Sequence, residues 1–367
     1  MLLVKTHRDA LLRPLQIVSG IVERRHTLPI LANILIRKEG ENVSFLSTDI
    51  EVQITTYAAI GVDSEVVAIT VAARKLLDIL RALPEGEVSL ILNNKRLTVQ
   101  SGKSRFNLQT LNAEEFPTVA LADQFNTCIT LPQKTLKHLF SMVHFSMAQQ
   151  DIRYYLNGLS LIVEGNGVIA VTTDGHRLAY CQVTAEQEFT KNEVIIPRKT
   201  IIELQRLLED TDEPVQINIA NNQIKFNFAD IELVSKLVEG KFPDFNRVIP
   251  SGYVQSFSIG RESLLRSLQR SAIMTSDKFK GVRCVIAPGS LKISSTNSEQ
   301  EEAMEEIEID YSGDIVDIGF NVTYLLDVLN NLKCDQINIA LGDSNSSALI
   351  TVPDNDRFKY VVMPMRI

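Results

Sequence analysis

The chain has 367 residues, 45% hydrophobic and 22% charged, with a formal net charge of −8 at pH 7, a composition that excludes long disorder and allows two or three packed cores. No apolar run nears the roughly 20 residues that cross a bilayer, and the apolar start Leu2-Leu3-Val4 is too short for a secretory signal. The four cysteines lie 53, 103 and 50 residues apart, matching no zinc or redox spacing, so a cytoplasmic protein with unlinked thiols, no metal and no cofactor is expected.

The first helix is predicted within residues 5–25, where Leu11, Leu12, Leu15, Val18 and Val22 recur at three and four. A strand over residues 43–49 ends in Ser-Thr-Asp, and a second helix is predicted over 74–82. Residues 87–92 and 95–100 then alternate as half-buried strands about the turn pair Asn93-Asn94. After Phe116-Pro117 the series begins again. A helix over 132–148 carries Leu136, Leu139, Phe140 and Val143; a strand over 168–174 ends in Thr-Thr-Asp; a helix over 197–208 precedes an alternating run at 215–219 and Asn221-Asn222. Phe242-Pro243 closes this second series, and the third has helices over 260–271 and 321–333, with Leu291-Lys292-Ile293-Ser294-Ser295-Thr296-Asn297 as its strand. A last strand, Tyr360-Val361-Val362-Met363, runs nearly to the C-terminus.

Thr48, Thr173 and Thr296 are 125 and 123 residues apart, far longer than the roughly 20–50 of solenoid and propeller repeats. The repeat unit is therefore a whole domain. Three tandem α+β domains are expected, over 1–122, 127–247 and 254–367, each opening with a helix and using a helix beside antiparallel strands twice. Triplication suggests an arc or a ring.

Charge sharpens that picture. By count of Lys and Arg against Asp and Glu, the six helical segments sum to +11 and the remainder to −19. Six helices of about 10 Å diameter, side by side, enclose a hole of only about 9 Å; twelve enclose about 28 Å and eighteen about 47 Å. A head-to-tail dimer thus fits a DNA duplex, and such a contact closes when the two ends of one chain are complementary. The basic and apolar run Lys103-Ser104-Arg105-Phe106-Asn107-Leu108 could meet the acidic run Glu299, Glu301, Glu302, Glu305 and Glu306, with Ile273 and Met274 beside it.

Thr27-Leu28-Pro29-Ile30-Leu31, Phe145-Ser146-Met147-Ala148, Asp151-Ile152-Arg153-Tyr154-Tyr155-Leu156-Asn157-Gly158, Thr173-Asp174-Gly175-His176-Arg177-Leu178, Gly240-Lys241-Phe242-Pro243-Asp244 and Tyr360-Val361-Val362-Met363-Pro364-Met365-Arg366 together resemble the bacterial DNA polymerase III β subunit family, the sliding clamps. The resemblance spans the chain in order. It implies a head-to-tail dimeric ring around double-stranded DNA, helices inside and antiparallel sheets outside, with three DNA-clamp domains per chain. The implied partners are DNA of any sequence, a second copy, a clamp loader, the polymerase III alpha subunit, and other polymerases and repair proteins. The implied location is the nucleoid, with no membrane contact and no catalytic activity.

The resemblance also implies residue roles. Arg25, Arg74, Gln150, Tyr154, Tyr155 and Lys199 would lie near the duplex, holding phosphates without reading bases. A pocket for short peptides would be lined by Arg153, Leu156, Thr173, Gly175, His176, Arg177, Leu178, Pro243, Arg247, Val248, Asn321, Tyr324, Ser347, Val361, Met363, Pro364, Met365 and Arg366, where apolar and methionine surface suits varied anchors. The dimer seam would take Lys103, Arg105, Phe106, Leu108, Ile273, Met274, Glu301, Glu302 and Glu305, with Ile273-Met274 replacing the two branched apolar residues usual there. Three other readings compete. Asp174 and His176 could be an acid and base, but Asp-Gly there reads as a turn; Tyr154 and Tyr155, like Leu156, Leu178, Val361 and Met363, could be ordinary packing; and the chain could be a DNA-associated scaffold that forms no ring.

Overall fold

In the computed structural model, which describes residues 1–22, 28–62, 65–276 and 280–366, each of the six predicted helices is entered directly from a strand. The first repeat runs β1 (Leu2–His7), α1 (Arg8–Val18), β2 (Asn33–Glu39), β3 (Asn42–Thr48), β4 (Val52–Ala59), β5 (Val66–Ala72), α2 (Ala73–Ala82), β6 (Glu87–Asn93), β7 (Arg96–Ser101) and β8 (Ser104–Asn112). The second runs β9 (Thr127–Pro132), α3 (Gln133–Ser141), β10 (Gly158–Thr173), β11 (Arg177–Pro197), α4 (Arg198–Leu207), β12 (Pro214–Ile219), β13 (Gln223–Phe228) and β14 (Ile231–Lys236). The third runs β15 (Gln255–Gly260), α5 (Arg261–Ala272), β16 (Gly281–Ala287), β17 (Ser290–Thr296), β18 (Glu302–Glu308), β19 (Val316–Asn321), α6 (Val322–Asn331), β20 (Gln336–Leu341), β21 (Ala348–Val352) and β22 (Asn355–Val362).

Each repeat therefore opens with a strand, not with its helix. The opening strands are six residues long and abut the helices, so their short alternation merges with the helical pattern. His7 marks one junction: its extended backbone ends β1 while its side chain accepts the Asp9 N–H, capping α1. None of the helices is long and apolar enough to cross a membrane, among the described residues.

Packing divides the elements into two compact units that do not coincide with the repeats. Residues 1–136 and 202–237 make unit 1; residues 137–201 and 238–367 make unit 2. In unit 1 all twelve strands form one antiparallel sheet, ordered β1-β6-β7-β8-β5-β2-β3-β4-β14-β13-β12-β9. The first and second repeats join where β4 pairs with β14, from Thr56 opposite Ile231 to Val52 opposite Ser235. Leu11, Leu15 and Val18 of α1 and Leu76, Leu77 and Leu80 of α2 are buried, each contributing about 1.5–3 kcal/mol by leaving water. The outer face of α2 keeps Arg74, Lys75 and Arg81 in solvent.

Unit 2 holds a six-stranded sheet, β10-β11-β22-β21-β20-β15, and a four-stranded one, β18-β17-β16-β19. Here the second and third repeats join through β11 and β22, with Arg177 opposite Val362 and Cys181 opposite Phe358. α5 and α6 pack against each other, burying Leu264, Leu265 and Leu268 on one and Leu325, Val328 and Leu329 on the other.

The repeated tripeptide has a physical origin. Its first hydroxyl closes a carbonyl at or just past the end of the repeat's opening helix: Ser47 Oγ donates to Val18 O, Thr172 Oγ1 to Val143 O at 2.5 Å, and Ser295 Oγ to Ser271 O at 2.6 Å. The third residue then caps the turn that follows. Asp49 Oδ1 accepts the Glu51 and Val52 N–H groups, Asp174 Oδ1 those of His176 and Arg177, and Asn297 Oδ1 those of Glu299 and Glu301.

Candidate functional site

The turn between β10 and β11 begins the site in unit 2. Thr173 Oγ1 donates to Arg177 O at 2.6 Å and accepts the Gly175 N–H at 3.1 Å, so the loop is closed from inside. Gly175 sits at φ +89°, and a Cβ there would lie 3.0 Å from Arg153 Nη2, so glycine avoids both a strained backbone and a tight approach to that guanidinium. Asp174 is occupied by backbone N–H groups and by Arg177 Nε at 3.1 Å, the turn chemistry weighed against an acid–base pair.

Arg177, only 9% exposed, organises what lies behind the turn. Its Nη1 donates to Asp327 Oδ2 at 2.5 Å, its Nη2 to the Phe145 carbonyl at 2.6 Å, and its guanidinium carbon stands 4.4 Å from the centre of the Tyr324 ring. Burial by itself would lower the Arg177 pKa, but neighbouring Tyr360, Asp327 and Asp174 leave it raised. Tyr360 is fully buried and donates to Tyr324 O at 2.9 Å, and burial raises its own pKa. Sequence reasoning missed Asp327 and the Phe145 carbonyl as partners.

The last residues are tied down by backbone. Met363 N–H donates to His176 O at 2.9 Å and Met365 N–H to Gly319 O at 2.8 Å. Met363 stays 47% exposed, Pro364 and Met365 are half-buried, and Arg366 is exposed. Leu156, Leu178 and Val361 are buried, and Leu178 and Val361 share a core with Ile162, Val171, Ile195 and Phe242. Burial agrees with the packing reading of those three and contradicts it for Met363, which is exposed, as are His176, Pro243 and Val248.

Arg153 lies beside the turn, its Nη2 3.3 Å from Asp174 O and its Nε and Nη2 on the Asp151 carboxylate at 3.0 and 2.9 Å. Those hydrogen bonds hold the Asp151 pKa down at about 2. Three expected lining residues make local contacts. Asn321 caps α6 through the Thr323 N–H at 2.9 Å, Arg247 pairs with Asp244 at 3.0 Å, and the Ser347 carbonyl accepts from Tyr253 at 2.7 Å. Sharing His176, Arg177 and Tyr324 is a polar cleft of about 490 Å³ that also takes in His144, Gln149, Arg198 and Asp327. Arg198 donates to Met147 O at 3.0 Å, and its pKa is lowered by burial and by Arg177.

The residues expected near a duplex divide among several places. In unit 2, Gln150 is exposed at φ +57°, and Tyr154 is 58% exposed with its ring edge-on to Tyr155 at 6.0 Å. Tyr155 packs on the core of Phe242 and Leu178, and Lys199 is half-buried on α4. In unit 1, Arg74 is exposed yet donates to Val22 O at 3.0 Å; Arg25 lies outside the described residues.

The seam residues occupy two strands and a helix end. In unit 1, Lys103 in the turn before β8 and Arg105 and Phe106 on β8 are exposed, and Leu108 on β8 is buried. In unit 2, Ile273 follows α5 at 74% exposure with Met274 half-buried, and Glu301 and Glu302 are exposed. Glu305 is already paired with Arg270 of its own chain, Nε to Oε1 at 2.8 Å. Met304, 72% exposed between them on β18, was not anticipated.

Three family models match the chain in succession: the DNA polymerase III beta subunit N-terminal domain over residues 2–120, its central domain over 130–244 and its C-terminal domain over 246–366. The chain is 46% identical over 363 residues to the beta sliding clamp of Pseudomonas putida and 45% identical over 362 to that of Escherichia coli K12, covering 98% of each pair. Among solved structures, the DNA polymerase III subunit beta of Pseudomonas aeruginosa superposes with a TM-score of 0.95 at 44% identity, and the sliding clamp of Caulobacter crescentus with 0.93 at 35%, each covering both chains completely. The resemblance read from the motifs and the expectation of three tandem clamp domains are both borne out.

Proposed function

The chain belongs to the DNA polymerase III beta subunit family, the beta sliding clamps that act as DNA polymerase processivity factors, and from that membership we propose that two copies close head to tail into a ring around double-stranded DNA. The observation that carries this is a rule the fold obeys twice. The strand that follows each capped turn pairs with the last strand of the next repeat: β4 with β14, and β11 with β22. The third turn, at Asn297, is followed by β18, which ends its sheet with one edge unpaired among the described residues. The matching last strand is β8, whose residues 104–109 pair, among the described residues, on one side only, with β7. A second copy supplies the missing partner in each direction. Lys103 just before one strand and Arg105 on it, with the glutamates of β18 on the other, give the seam complementary charge, and Phe106, Ile273 and Met304 give it apolar surface.

Inside the ring, Arg74, Gln150, Tyr154, Tyr155 and Lys199 lie near phosphates and hold the duplex without sequence preference. The surface around Met363, His176, Pro243 and Val248, over the Leu178 and Val361 floor, captures short apolar peptides of the polymerase III alpha subunit, the clamp loader and other polymerases and repair proteins. The protein acts by confinement and tethering, without catalysis of its own, in the cytoplasm at the nucleoid. Retention on plasmid tests the proposal: loaded protein should stay on closed circles and be lost once the plasmid is linearised. Equal retention on both forms would identify a groove-binding scaffold.

A further inference from the structure

The hydrogen bonds that close the turn and tie the neighbouring strand to it in unit 2 are present a second time in unit 1. Thr48 Oγ1 donates to Val52 O as Thr173 Oγ1 does to Arg177 O, and Lys236 N–H donates to Glu51 O at 2.9 Å as Met363 N–H does to His176 O at 2.9 Å. Beside this second copy lies a cleft of about 710 Å³, bounded by Ile50, the connection 118–124 and the Asn221-Asn222 turn. Its size is that of ligand pockets generally, about 300–1,000 Å³.

One wall is fixed in place. Gln53 and Gln223, each 6% exposed, hold the connection by its backbone: Val119 N–H donates to Gln53 Oε1 at 2.9 Å, Ala122 N–H to Gln223 Oε1 at 2.9 Å, and Gln223 Nε2 to Ala120 O at 2.6 Å.

The other wall carries an anomaly. Ile50 stands where unit 2 has Gly175, at φ +80°, a backbone state that costs a β-branched residue about 1–3 kcal/mol. It is nevertheless 40% exposed, so core packing does little to offset that strain, and Leu121, also on the cleft, is 49% exposed. Carboxamides complete the lining, Gln124 and Asn222 among them, with Lys236 and Asp123 balancing in charge. Amide groups offer a donor and an acceptor each, as a peptide backbone does, whereas a phosphate ligand needs uncompensated cations.

We propose that unit 1 holds a second peptide-binding site, in which an extended segment of a separate protein seats one apolar side chain against Ile50 and Leu121 and hydrogen-bonds its backbone to the carboxamides. The proposal rests on the peptide reading of the unit 2 pocket, because the shared junction is what relates the two.

Methyl labelling of the full chain separates them. With isoleucine δ1 and methionine ε methyls labelled, an acetylated, uncharged heptapeptide containing adjacent leucine and phenylalanine should shift Ile50 independently of Met363 and Met365. Leu121→Asp should abolish the Ile50 response and spare Met363. As a second variant in case Leu121→Asp fails to fold, a chain ending at Val362 should still bind the fluorescently labelled peptide, and Ile50→Gly in that background should weaken binding about tenfold. An Ile50 methyl that stays still at millimolar peptide while Met363 moves, or a response that survives Leu121→Asp, overturns the proposal. Movement of Ile50 with Met363 and Met365 unmoved would instead uphold this site and overturn the unit 2 pocket.

Discussion

The guanidinium of Arg177, at the start of β11, lies 4.4 Å from the centre of the Tyr324 ring on α6. Stacking and three hydrogen-bond partners, Asp174, Asp327 and the Phe145 carbonyl, converge on one side chain that is 9% exposed. Hydrogen bonds to charged groups contribute about 1.5–3 kcal/mol each and are not additive. Arg177→Ala should therefore lower unfolding stability by about 3 kcal/mol, read as a shift in urea midpoint. Arg177→Lys should recover little, because an ammonium cannot satisfy the forked geometry or the stack.

The Met363 and Met365 N–H bonds are what attach the end of the chain to the pocket. Truncation after Val362 should reduce affinity for a labelled apolar peptide at that pocket by at least about tenfold. The melting temperature should move little, since β22 itself is retained. Undiminished peptide affinity in a truncated chain that also carries Leu121→Asp, so that only the unit 2 pocket is read, would remove the C-terminus from the binding surface.

Phe106 is 39% exposed on β8, and burial of such a ring against a second copy would anchor the seam. Phe106→Ala should raise the dimer dissociation constant about tenfold or more. Sedimentation velocity across a dilution series measures this. A dimer population matching that of the unmodified protein at every dilution would exclude β8 from the contact.

Arg153 lowers the Asp151 pKa from 3.8 to about 2 through its hydrogen bonds. A carboxylate with a depressed folded pKa contributes fully above its ordinary value and loses that contribution as the pH falls through the folded one. The Asp151–Arg153 contact should thus persist at pH 4 and titrate away near pH 2, followed by the Asp151 carboxyl carbon signal. Arg153→Gln should return that midpoint toward 3.8.

Burial pushes the Cys181 and Cys284 thiols up to about 12, while Cys128 is exposed. The thiolate is the reactive form. Ellman's reagent at pH 8 should therefore label Cys128 rapidly and reach Cys181 and Cys284 only after denaturation. Fast labelling of either buried thiol in native buffer would show local opening of its sheet.

The triplicate organisation was legible because its signals are local. Leucine spacing marks α1 and α5, alternation marks β6 and β7, and the turn that follows Asn93 places Asn94 at φ +53°, a state asparagine tolerates. The opening strands β1, β9 and β15 were hidden by brevity. Arg177 was expected in the site from its motif, but its partner Asp327 lies 150 residues away, beyond any sequence pattern. Glu305 was expected at a seam from its charge, but its pairing with Arg270, 35 residues earlier in the same chain, was not legible. The cut through the second repeat was equally invisible, because β4 and β14 find each other across more than a hundred intervening residues.

That cut has a consequence for synthesis. Unit 1 is completed by residues 202–237, so β4 has no neighbour on its outer edge until β14 leaves the ribosome. Until then an unprotected strand edge waits in the nascent chain, a place where chains can join wrongly. Translation speed between Ala59 and Lys236, and chaperones that shield extended strands, should therefore govern the yield of this protein more than the intrinsic stability of any one repeat.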